Sequence, residues 1–139
     1  MTSPNPVPKI AVVLREDLAA WQKLNVTAFL ASGIAARFGE LVGADYEDAD
    51  GIDYLPMFGH PVLVYAADAE GLRNAHRAAL SRGLAVGVYI EEMFATGNDM
   101  DNRATVRAVP TEKLPLVGIA VHGARNAVDR ALKGLSLHS

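Results

Sequence analysis

The chain has 139 residues, 50% hydrophobic and 21% charged, with a formal net charge of −3. That length and composition fit one domain with a proper core. The absence of cysteine excludes disulfides, thiol nucleophiles and thiolate metal sites, and the acidic balance disfavours tRNA or any nucleic acid held by charge alone.

Residues 1–8 lie in MTSPNPVPK, which has prolines at 4, 6 and 8 and no apolar core. They are expected to form a flexible lead rather than a signal peptide, ahead of a single α/β domain over residues 9–139. No stretch reaches the roughly 18 apolar residues that a membrane span needs. With no cysteine and no export signal, a cytoplasmic location is expected. Asn25-Val26-Thr27 matches a glycosylation sequon, but it falls inside a predicted helix.

The first strand is predicted from Lys9 to Arg15, with β-branched residues at its centre. Asp17 is expected to cap a helix from about Leu18 to Arg37. That helix is apolar nearly all round and is expected to be buried. Residues 44–56, ADYEDADGIDYLP, read as an acidic hairpin arm turning at Asp50-Gly51. Its carboxylates do not follow a calcium-loop spacing and suit a solvated hairpin that discourages edge pairing. The apolar run Pro61 to Ala67 reads as a strand covered on both faces. Asp68 caps a second helix to Arg82, and Gly83 ends it. A strand from Leu84 to Ile90 leads into the turn Glu91-Glu92-Met93-Phe94, broken at Thr96-Gly97-Asn98. A polar helix follows from Asp99 to Val109, then a strand from Leu116 to His122 and a last helix from Arg125 to Lys133.

The resulting order is β-α-β-β-β-α-β-α-β-α. Helical crossovers imply parallel pairs and the hairpin adds antiparallel ones. The expected architecture is therefore a three-layer sandwich, a mixed four- to five-stranded sheet with helices on both faces.

No phosphate-binding glycine loop, zincin motif or nucleophile elbow is present. His60, His76, His122 and His138 show no metal-ligand spacing and read as surface or internally satisfied histidines. No metal and no cofactor is expected. The notable polar residues follow strand ends, where open α/β sheets bind ligands. Arg15, Glu16 and Asp17 close the first strand, and Glu91 and Glu92 close the strand ending at Ile90. If those two strands lie side by side and parallel, the charges meet at one rim with Lys23. There a carboxylate, Asp17 or Glu91, can act as a base beside the lysine. Helix capping and surface ion pairs account for the same residues without function. Gln22 and Asn25 share a helix face, and with Thr27, Arg15, Glu92 and Thr96 they form the expected ligand-binding set.

At these residues the chain resembles a bacterial family of small uncharacterised proteins, a domain of unknown function. The resemblance runs through KIAVVLREDLAAWQKLNVTAFLASGIAA, YLPMFGHPVLVYAADAEGLRNAHRAAL, YIEEMFATGNDMDNRATV and LVGIAVHGARNAVDRALKGL. That family is similar in fold to the type 2 peptidyl-tRNA hydrolases, which cleave the ester of peptidyl-tRNA and are often dimeric. The resemblance implies roles for Arg15, Asp17 and Leu18, which match the hydrolases' opening strand, arginine and Asp-Leu. Lys23 is the nearest match to their helix lysine. The glutamine and histidine that they carry inside this helix have no counterpart between Thr27 and Ala31, and Glu91-Glu92 and Thr96-Gly97 replace their later Asp-Ala-Gly and threonine.

Three functions follow as alternatives. The chain is a small-molecule or peptide binding domain, expected as a homodimer, on a hydrolase-like scaffold. Or it is a hydrolase of peptidyl-tRNA or a related acyl ester, using Lys23, Asp17 and Glu91 or Glu92. Or it is a structural homodimer that buries the first helix through Ala31, Ser32, Gly33 and Ala35.

Overall fold

A computed structural model of the chain describes residues 7–139. The lead expected over 1–8 therefore lies outside the described residues up to residue 6, and Pro8 already belongs to the first strand. The elements are β1 (Pro8–Arg15), α1 (Ala20–Arg37), β2 (Tyr46–Glu47), β3 (Asp53–Tyr54), β4 (Val62–Ala67), α2 (Ala69–Ser81), β5 (Ala85–Ile90), α3 (Asp99–Arg107), β6 (Leu116–Ala124), α4 (Arg125–Ala131) and β7 (Ser136–Leu137). The predicted sequence of elements is present, with β7 added. Three 3-10 turns join them, of which Glu91–Ala95 borders the site described below.

Five strands form a mixed sheet in the order β5-β6-β1-β4-β7. β1 pairs in parallel with β4, Val12 opposite Val64, and antiparallel with β6, Val12 opposite Ala120. β5 pairs antiparallel with β6, and β7 antiparallel with β4. The strands that end at Arg15 and Ile90 are thus not neighbours, because β6 lies between them. Residues Leu116 to Val121 of β6 are all buried, and a strand apolar on both faces belongs in the middle of a sheet. Since β1 and β5 both oppose β6, they still point the same way and end at one rim.

Alternation along β1 feeds two cores. Ile10, Val12 and Leu14 pack with Val26, Leu30 and Ile34 of α1, while Ala11 and Val13 pack with Leu72 and Ala75 of α2 and Val128 of α4. α1 is not buried on every side, contrary to the expectation. Its sheet-facing residues Val26, Leu30 and Ile34 are covered, but Leu24 is 73% exposed, Trp21 62% and Phe29 52%. A helix with one sheet face to cover leaves its opposite side in solvent unless a further layer packs there.

Asp17 does not cap α1. Its carboxylate instead accepts from Arg15 Nε at 2.6 Å. The cap position is Ala19, whose N–H is satisfied by Gln22 Oε1 at 3.0 Å. Asp68 does cap α2, accepting from the Gly71 amide at 2.7 Å. The acidic arm is a short hairpin turning at Gly51, where φ is 82°. Asp48 organises it, accepting from the amides of Asp50 and Ile52 and from the Tyr54 hydroxyl. Those bonds, that from the Ile52 amide foremost, hold the Asp48 carboxyl below its ordinary pKa.

Candidate functional site

The rim shared by β1 and β5 gathers Arg15, Asp17 and Glu91. The Arg15 guanidinium bonds Asp17 at 2.6 Å and reaches Glu91 Oε1 at 3.5 Å. The hydrogen bond from Arg15 holds Asp17 below its ordinary pKa, so the carboxylate is ionised and occupied. Lys23 turns away from Asn25 on the helix, as a two-residue offset requires. Its Nζ meets His138 Nε2 at 3.0 Å, toward the edge of the sheet opposite β5, where the His138 amide donates to the Val64 carbonyl of β4. Thr27 Oγ1 donates to the Lys23 carbonyl within the helix at 2.7 Å. Glu92 is exposed in the turn after β5. Of the residues singled out from sequence, the structure gathers Arg15, Asp17 and Glu91 into one ion cluster. Gln22 and Thr27 serve local bonds within the helix, and Lys23 bonds His138.

Asn25 and Thr96 meet elsewhere. Both line a cavity of about 320 Å³ between α1, the end of β5 and the turn into α3. Its walls are aromatic. Trp21 meets Phe94 edge-on at 5.9 Å, Phe94 lies 5.1 Å from Tyr89, and Phe29 meets Tyr89 edge-on at 5.9 Å. Apart from Asp99, its polar side chains are neutral. Asn25 Nδ2 donates to the Tyr89 hydroxyl at 3.4 Å. The Thr96 hydroxyl bonds the Asn102 side-chain oxygen and the Met93 carbonyl. Tyr89 is 4% exposed, and burial raises its pKa, so its hydroxyl keeps its proton at neutral pH. The carboxylate on this wall, Asp99, is paired with Arg103. Aromatic faces with a few convergent neutral polar groups are the ordinary lining of a small-molecule or peptide site. They carry no poised base or nucleophile.

Sequence reasoning missed Trp21, Phe29, Tyr89, Phe94 and Asn102. These lie far apart in the chain and converge only through β5 and α1. The available signal was local: Asn98 and Asn102, four apart after Thr96-Gly97, place two carboxamides at the start of α3. Asn98 is spent partly on capping, its Oδ1 accepting from the Asp101 amide at 2.8 Å.

Among the described residues no three His, Asp or Glu side chains converge as a metal site, and no helix is long and apolar enough to cross a membrane. The structure of a protein of unknown function from Agrobacterium tumefaciens strain C58, Atu0240, is similar. It is 48% identical, superposes with a TM-score of 0.92, and the match covers 95% of this chain and 98% of that one. No curated protein matches. The family model described as protein of unknown function (DUF2000) matches residues 8–139, and the chain belongs to that family.

Proposed function

We propose that this protein binds a small molecule or peptide in the aromatic and carboxamide cavity beside Trp21. The carrying observation is the convergence of Asn25, the Tyr89 hydroxyl, Thr96 and Asn102 with partly exposed rings around one opening. Such an opening suits a ligand with a flat apolar group and adjacent amides. We read the scaffold as a three-layer sandwich of the peptidyl-tRNA hydrolase kind that has kept a cleft without its ester chemistry. Lys23 held by His138, and Asp17 and Glu91 held by Arg15, support that choice over hydrolysis.

Trp21 is the chain's single tryptophan, so its emission reports occupancy. N-acetyl-phenylalaninamide, which has one ring and two amides, is the probe. Titration is expected to change Trp21 emission saturably. Asn25→Leu and Tyr89→Phe are expected to weaken the effect about ten-fold, about 1.4 kcal/mol, by removing hydrogen-bonding groups from a desolvated site. No emission change up to millimolar probe, with peptide released from peptidyl-tRNA by the native chain but not by Lys23→Ala, would favour the hydrolase instead.

A second copy of the chain is the partner proposed for the other exposed face of α1. Leu24, Ala28, Ala31 and Ala35 form one ridge there, and Ala31 and Ala35 line a shallow hollow with Pro56 and Met57 at the end of the arm. Leu24 and Met57 are both exposed.

A further inference from the structure

β5 is the outer strand of the sheet, and its free edge is not covered by another strand. A groove follows it. The aromatic cavity opens into a larger one of about 570 Å³, with which it shares Phe29, Tyr89 and Asn102. That one adjoins a third of about 220 Å³, sharing Leu30 and Gly33. Residues Ala85 to Tyr89 line the second and third of these cavities end to end. One helix ridge forms its wall: Trp21, Asn25, Phe29, Gly33 and Arg37 follow one another at four-residue spacing along α1. From Trp21 to Arg37 that ridge measures about 24 Å at 1.5 Å per residue, the length of roughly seven residues of extended chain.

The charge along the groove opposes that of the molecule. The chain carries a net −3, yet the groove is lined by Arg37, Arg103 and Arg107 against one carboxylate, Asp99. Asp99 is matched to Arg103. Arg37 and Arg107 are exposed and make no ion pair among the described residues. Each ends a helix, where a cation complements the helix dipole, but both also face the groove.

We propose that the groove takes an extended acidic peptide. It adds along the free edge of β5, seats an aromatic side chain in the cavity beside Trp21, and places carboxylates against Arg107 and Arg37. An outer strand offers unpaired N–H and C=O groups to such a segment, and the arginines supply the complementary charge. This proposal rests on the binding function proposed above and names its ligand class.

Gly33 gives a test that leaves the fold intact. A Cβ added there meets nothing within 4 Å, and replacing a helix-interior glycine raises helix propensity. Gly33→Leu is therefore expected to melt at a higher temperature than the native chain while blocking the groove. The probes are two synthetic peptides of roughly seven residues, each with an aromatic residue at one end, one bearing glutamates and the other lysines. The acidic peptide is expected to bind at least about ten-fold more tightly at low salt and to lose that margin as salt screens it. Its binding is expected to slow amide hydrogen exchange across Val86 to Tyr89. Arg107→Glu should erase the preference, and Gly33→Leu should abolish peptide binding while sparing N-acetyl-phenylalaninamide, whose cavity Gly33 does not line. Equal binding of the two peptides, unaltered peptide binding in Gly33→Leu, or no slowing of exchange in β5 overturns the peptide proposal. In each of those cases, retained binding of N-acetyl-phenylalaninamide leaves the cavity reading standing, and its loss overturns both.

Discussion

At the scale of single residues, the buried side chain with most to say about pH is His76 of α2. Burial pushes its pKa down, with Arg73 and Arg77 adding to the effect and Glu112 opposing it. The folded chain therefore holds His76 neutral where the unfolded chain, with an ordinary value near 6.5, takes up a proton. Protons favour the unfolded state, so stability should fall as pH drops through about 6.5. Asp17 and Asp48 also have lowered values and also lose their contribution on acidification, but only below the ordinary carboxylate range near 3.8. Thermal melts between about pH 7.5 and about pH 5.5 isolate the histidine, because the carboxylates stay ionised there. His76→Leu is expected to flatten the slope over that interval, and an unchanged slope would assign it to other groups. The sequence left His76 as either a surface or an internally satisfied histidine, and only the structure shows it buried on α2. Lys23 was not legible as a partner of His138, since the two are separated by 115 positions.

At the scale of elements, α1 rests on β6 at a glycine. A Cβ at Gly118 would lie 2.7 Å from Val26 Cγ1, with Leu14 and Leu30 also at 3.3 Å. Val26 is β-branched and stiff in a helix, so the contact does not relax by rotation. Gly118→Ala is expected to lower stability by about 1–3 kcal/mol, as overpacking of a core does. The denaturant midpoint measures it, and a midpoint equal to that of the native chain would show α1 sliding freely on the sheet. Element ends were readable where a single side chain makes the cap. Asp68 bonds the amide three residues on, and Gly83 takes φ of 69° after α2. The start of α1 was misread because Arg15 competes for the Asp17 carboxylate. That competition depends on how the strand end turns, which the order of residue types does not state.

At the scale of the molecule, the proposed self-association has a direct check. Leu24→Glu together with Met57→Glu should shift a dimer toward monomer in sedimentation, with an unchanged circular dichroism spectrum. A native chain that sediments as a monomer at micromolar concentration would end that proposal. The sequence alone determined the kind and succession of the elements, because strand and helix periodicity, capping residues and turn glycines act over a few neighbouring positions. Only the tertiary structure decided that β6 runs between β1 and β5, that α1 leaves Trp21 and Phe29 beside the edge of the sheet, and that Tyr89 and Phe94 join them. Strand neighbours are chosen by which apolar faces can be buried together across the whole chain. The groove along β5 follows from that choice: the most buried strands took the centre, and a half-covered strand was left at the margin.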